Sequence, residues 1–141
     1  MRRKKLVWAA ALLCALLVCA GLLARGDRRE RTARYVQQNR AALEAFAAEL
    51  TADGTYNGWT VSYWPELGMA EFETGASGLG SSTSYWGFYY SPEDVPLPLM
   101  GAAEMHYAPS GSGWRWEEPG GDNWAYTQRL AERWYWYEMH F

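Results

Sequence analysis

The pattern of apolar and polar positions changes twice along this 141-residue chain. Residues 6–24, LVWAAALLCALLVCAGLLA, carry no charge and lie between Arg2-Arg3-Lys4-Lys5 and Arg25. At about 1.5 Å of helical rise per residue, this run predicts a transmembrane helix just long enough for a hydrocarbon layer of about 30 Å. Trp8 stands near its start, where an indole prefers the lipid–water boundary. Gly26-Asp27 then predicts a break, with Asp27 and Glu30 as the capping pair of a second helix. Within residues 25–50 the period becomes helical: Val36, Leu43, Phe46, Ala47 and Leu50 share one stripe, and Arg40, Glu44 and Glu49 fall largely off it. This is an amphipathic juxtamembrane helix that needs an apolar partner, and packing on the following domain supplies one.

Beyond Gly54 the period drops to two. Trp59, Val61 and Tyr63 alternate with Thr60, Ser62 and Trp64, and Pro65-Glu66-Leu67-Gly68 predicts the turn of an antiparallel hairpin with residues 69–74. Gly75 to Ser84 is rich in Gly and Ser and predicts a mobile loop. Tyr85 to Ser91 is apolar on both faces and predicts a central strand. Pro92, Pro96 and Pro98 exclude regular sheet from residues 92–100. Further strands are expected at residues 104–107, 114–117, 124–128 and 133–141, with a helical turn at 129–132. The fold class is therefore α+β: a transmembrane helix, one amphipathic helix, then an antiparallel sheet of five or six strands in roughly meander order. Residues 1–5 form a basic tail, and residues 51–141 a single sheet domain.

Charge divides at the same boundary. Residues 1–50 hold ten Lys and Arg against four acids, whereas residues 51–141 hold twelve acids against Arg115, Arg129 and Arg133. So acidic a domain repels phosphate backbones, so no nucleic acid is expected as a partner. Both cysteines, Cys14 and Cys19, lie in the apolar run, which leaves the domain without a disulfide or a thiolate metal site. The run reads best as an uncleaved anchor, because it continues through Leu22 and Leu23. A cleaved signal peptide at Val18-Cys19-Ala20 and a lipobox ending at Cys19 are the competing readings, and the bulky Val18 disfavours the second. Basic residues flank the run on both sides, and the unbroken leading cluster favours a cytoplasmic N-terminus and an extracytoplasmic domain.

Residues with catalytic chemistry are sparse. His106 and His140 are the only histidines, no G-x-S-x-G elbow occurs, and no metal-ligand spacing is present. Glu71 and Glu73 point to one side of a strand, and their alternation with Ala70 and Phe72 marks that side as the wet one. No enzyme activity, metal or cofactor is expected. The anomaly is the aromatic content: eight Trp and nine Tyr in residues 51–141 exceed the needs of a small core. Trp and Tyr dominate binding hot spots and stack on sugar rings. Trp114, Trp116, Trp134 and Trp136 are the candidate ligand platform.

The order of hydrophobic helix and sheet resembles type IV pilin-like proteins. Lys5, however, stands where that family has a glycine, and no acid precedes Asp27, so no function is carried over. Gly58-Trp59, Gly113-Trp114 and Trp134-Tyr135-Trp136-Tyr137 are similar in composition to choline-binding-type wall repeats, without their short period. The expected function is a single-pass protein of a bacterial envelope, held in membrane lipid by residues 6–24, whose outer domain binds another envelope protein. The alternative is a cell-wall or glycan-binding module.

Overall fold

The computed structural model describes the backbone of residues 2–80 and 82–141, and the side chains of all of these except 2–10, 22, 24 and 25. One helix, α1, runs Arg2–Glu49. The expected break at Gly26-Asp27 is absent: the flanks are rich in strong helix formers, which outweigh the roughly 1 kcal/mol that one interior glycine costs. Asp27 caps nothing and pairs instead with Arg31, one turn on. The chain divides into two compact units, Met1–Arg31 and Thr32–Phe141. In the first, Leu12, Leu13, Leu16, Leu17, Val18 and Leu23 are all exposed. Among the described residues no helix is long and apolar enough to cross a membrane. The span read at residues 6–24 lies partly outside them, since the side chains of 6–10, 22 and 24 are not described.

In the second unit the described residues form one antiparallel sheet of eight strands, not five or six. These are β1 Gly54–Tyr56, β2 Trp59–Trp64, β3 Met69–Leu79, β4 Ser82–Tyr90, β5 Ala108–Ser110, β6 Gly113–Glu117, β7 Trp124–Ala131 and β8 Trp134–His140. Their spatial order is β1-β2-β3-β4-β8-β7-β6-β5. Two four-stranded meanders therefore meet at β4 and β8, rather than one running through. Residues 91–107 carry the chain from β4 at the centre to β5 at the far edge.

Four local expectations are corrected. Residues 75–79 and 82–84 are no loop, because β3 and β4 stay paired out to Leu79↔Ser82, and position 81 lies outside the described residues. Glycine and serine tolerate a hairpin tip that has neither face to bury. The edge strand at residues 104–107 falls instead at Ala108–Ser110, three residues holding Pro109, as suits an edge. Residues 129–132 make no helical turn: β7 runs to Ala131 across a bulge between Arg129 and Ala131. A first strand, β1, was not anticipated because three residues carry no period.

Each face of the sheet has its own cover. Val36 and Leu43 of α1 are fully buried against Val61, Ala70, Phe72, Phe88 and Trp134, with Phe46, Ala47 and Leu50 packed beside them. On the opposite face Met69, Tyr89, Tyr135, Tyr137 and Met139 lie under Leu97, Leu99 and Met105 of the crossing segment. That segment lacks ladder partners, so side chains fasten it. The Tyr89 hydroxyl donates to Thr127 Oγ1 (2.9 Å) and accepts the Leu97 amide (3.2 Å). Asp94, held at φ 54°, accepts Arg129 Nε (3.0 Å) and the Arg133 amide (2.7 Å), while its carbonyl takes the Tyr135 hydroxyl (2.8 Å).

At the centre Gly87 leaves room that no side chain could share. A Cβ there would stand 1.9 Å from the Phe72 carbonyl oxygen and 3.0 Å from the Tyr137 ring. Gly87→Ala is expected to cost about 3 kcal/mol or more, since the contact is with backbone and cannot yield; a shift of the denaturant midpoint measures it. The Arg129 guanidinium, above all, holds the Asp94 carboxyl down at about 2, from an ordinary 3.8. A lowered folded-state value gives stability that is complete above about pH 4 and is lost as pH falls through about 2. Thermal unfolding of wild type and Asp94→Asn should therefore differ at pH 6 and converge on acidification below about pH 4.

Candidate functional site

A cleft of about 610 Å³ opens on the face that the crossing segment covers. Antiparallel register builds it. Ser62 opposes Glu71 and Trp64 opposes Met69, so the odd-numbered acids of β3 stand beside the even-numbered residues of β2. Across β3, Glu73 opposes Gly87 and Ala76 opposes Tyr85. Met139 and Phe141 close the side toward β8, where Phe141 exchanges two backbone hydrogen bonds with Thr83 (2.8 and 3.0 Å). The roof is the single 3₁₀ turn Leu99–Gly101.

Trp64 and that turn fix each other. Gly101, at φ 64°, has its backbone against the Trp64 ring, where a Cβ would approach to 2.5 Å. Glu71 ties both together: its Oε2 accepts the Trp64 indole N–H (3.2 Å) and the Met100 amide (3.1 Å). Glu71 is only 6% exposed, which corrects the expectation of a wet face. Alternation along β3 assigned the two sides properly, but the crossing segment covers the second side as well. Glu73, farther from the roof, stays half-buried.

Burial pushes the Glu71 carboxyl above the usual carboxylate range, opposed by the Met100 and Trp64 hydrogen bonds and reinforced by the Glu73 charge. Tyr137 is fully buried, and its hydroxyl lies close enough to Glu71 to act on its charge without closing a hydrogen bond of ordinary geometry. Tyr137 is itself raised, first by burial and then by Glu71 and Glu73. A cleft that combines a desolvated carboxylate, a second carboxylate and aromatic walls has the character of a binding site.

The four tryptophans chosen from the sequence do not share a surface. Trp134 is fully buried under α1, and Trp136 is 3% exposed on the same side of β8. Trp114 and Trp116 lie half-buried on the other side, packed against the core of Tyr135, Tyr137 and Met139. Trp116 borders a shallower groove of about 420 Å³ with His106, Pro109 and Arg115 at the β5 edge. His140 stacks on Trp124 (6.0 Å, 14°) and meets Ser84 Oγ through Nδ1 (3.0 Å). Among the described residues no group of His, Cys, Asp and Glu could hold a metal ion. Glu71, Trp64 and Tyr85 were missed as a site. The signal available was the apolar content of residues 95–105, which includes Val95, Leu97, Leu99, Met100 and Met105 and requires a sheet face to lie on.

Because the raised group is an acid, its ionised form costs stability above its folded-state value, and the cost fades as pH falls to the ordinary carboxylate range. Glu71→Gln keeps an acceptor for both donors without a buried charge. It is expected to match or exceed wild type in thermal stability at about pH 8, with the difference shrinking toward about pH 4. Glu71→Leu strands the Trp64 and Met100 N–H groups and is expected to lose about 1–3 kcal/mol. Equal losses in both variants would remove the assignment of a charge cost to Glu71.

The chain matches no family model, no curated protein and no solved structure.

Proposed function

We propose that this chain is a single-pass membrane-anchored envelope protein whose extracytoplasmic domain binds another protein, without catalysis, through the cleft between β2, β3 and the end of β8. The cleft carries the reading: a desolvated carboxylate beside aromatic walls is costly to keep and gains its worth from a ligand that enters. The anchor is supported by the uncharged run at residues 6–24 and by the exposure of its described leucines, a surface that lipid would cover. Orientation is supported by the unbroken basic cluster before the run.

The glycan reading keeps a narrower support. Trp116 in the β5-edge groove, with Arg115 and His106 beside it, offers one stacking surface with polar neighbours. Trp134 and Trp136, being buried, offer none.

Placing a photo-reactive p-benzoylphenylalanine at Tyr85 in the full chain, in native membranes, tests the leading reading. A single cross-linked species of defined mass is expected, absent when the probe replaces the exposed Gln37 of α1. Free monomer at both positions would remove the partner. Recovery of the intact chain, still beginning at Met1, in the aqueous fraction of washed cells would remove the anchor.

A further inference from the structure

We infer that the group entering this cleft is a cation, namely the side chain of a lysine or arginine carried by the partner protein. The inference rests on the cleft being the partner's site, and it goes further in naming the chemistry that is recognised.

Charge is the first reason. Glu71 and Glu73 both line the cleft, and among the described residues neither forms an ion pair. The hydrogen bonds from Trp64 and Met100 to Glu71 both go to Oε2. The chain has no cation of its own to supply in this half of the molecule. Its three basic residues beyond position 50 are engaged elsewhere: Arg129 with Asp94, Arg115 with Glu117 and over the Trp124 ring (4.6 Å), and Arg133 with the Tyr90 hydroxyl. Arg40 of α1 bridges Glu44 and Glu132, and Glu132 lies in the β7–β8 turn.

The walls are the second reason. Trp64, Tyr85 and Phe141 line the same space, together with Met100 and Met139. Aromatic faces attract a desolvated ammonium or guanidinium through the ring quadrupole, whereas they gain nothing of the kind from a neutral hydroxyl or amide. Anionic ligands are repelled by two carboxylates within a domain that is already strongly acidic.

The test uses the full chain in detergent micelles or lipid nanodiscs, with saturation-transfer NMR to small probes. Nα-acetyl-lysine methylamide and Nα-acetyl-arginine methylamide are compared with the neutral Nα-acetyl-norleucine methylamide and with tri-N-acetylglucosamine. Both cations are expected to bind at least about tenfold more tightly than norleucine, and Glu73→Gln to remove about the same factor. Equal binding of norleucine, cation binding unaffected by Glu73→Gln, or preferential binding of the oligosaccharide would each overturn the inference. If the cations fail while the Tyr85 cross-link persists, the cationic class falls and the protein partner stands. Loss of both removes both.

Discussion

The structure depends on one strand pair that tolerates water on neither side. β4 and β8 oppose Phe88 to Trp136, Tyr89 to Tyr135 and Tyr90 to Trp134, so each face of the pair is lined with rings. Phe72 stacks on Phe88 at 4.6 Å on one face, and Tyr89 on Tyr135 at 5.3 Å on the other. Burying one aromatic ring removes on the order of 150–250 Å² from water, and a sheet with one wet face would forfeit that gain for half of them. Two covers are therefore required. The Val36–Leu43 stripe of α1 supplies one and the proline-rich crossing segment the other.

The two covers differ in how their backbones are satisfied, and the site follows from that difference. A helix satisfies its own N–H and C=O groups, so α1 needs only apolar contact. The crossing segment has no such internal ladder, and its buried amides must find side chains. Tyr89 serves Leu97, Ser91 Oγ serves Val95, and Glu71 serves Met100. Glu71 is thereby drawn under the roof and desolvated, while Glu73 stays beyond it. The carboxylate that holds the roof also edges the opening beneath it.

Aromatic content divides along the same lines. Phe72, Phe88 and Trp134 are core under the helix, and Tyr89, Tyr135 and Tyr137 are core under the crossing segment. At the margin of the second cover, Trp64, Tyr85 and Phe141 remain half-buried around open space. The surplus of tryptophan and tyrosine thus lines open space where a cover ends, rather than forming a row on one strand.

The sequence by itself determined the class, the β2–β3 hairpin and the alternation of sides. Period-two spacing puts Tyr135, Tyr137 and Met139 opposite Trp134 and Trp136 whatever the strands pair with, and the three prolines rule out sheet in residues 92–100. It also carried the division of charge at residue 50. Tertiary structure alone decided that β8 returns to lie beside β4, because strand order depends on which surfaces match and not on local spacing. It decided that Trp134 and Trp136 are core, since a face that alternation leaves exposed can be covered by an element distant in the chain. For the same reason Glu71, polar by local pattern, is buried: its cover lies nearly thirty residues away at Met100, and no local period records that contact.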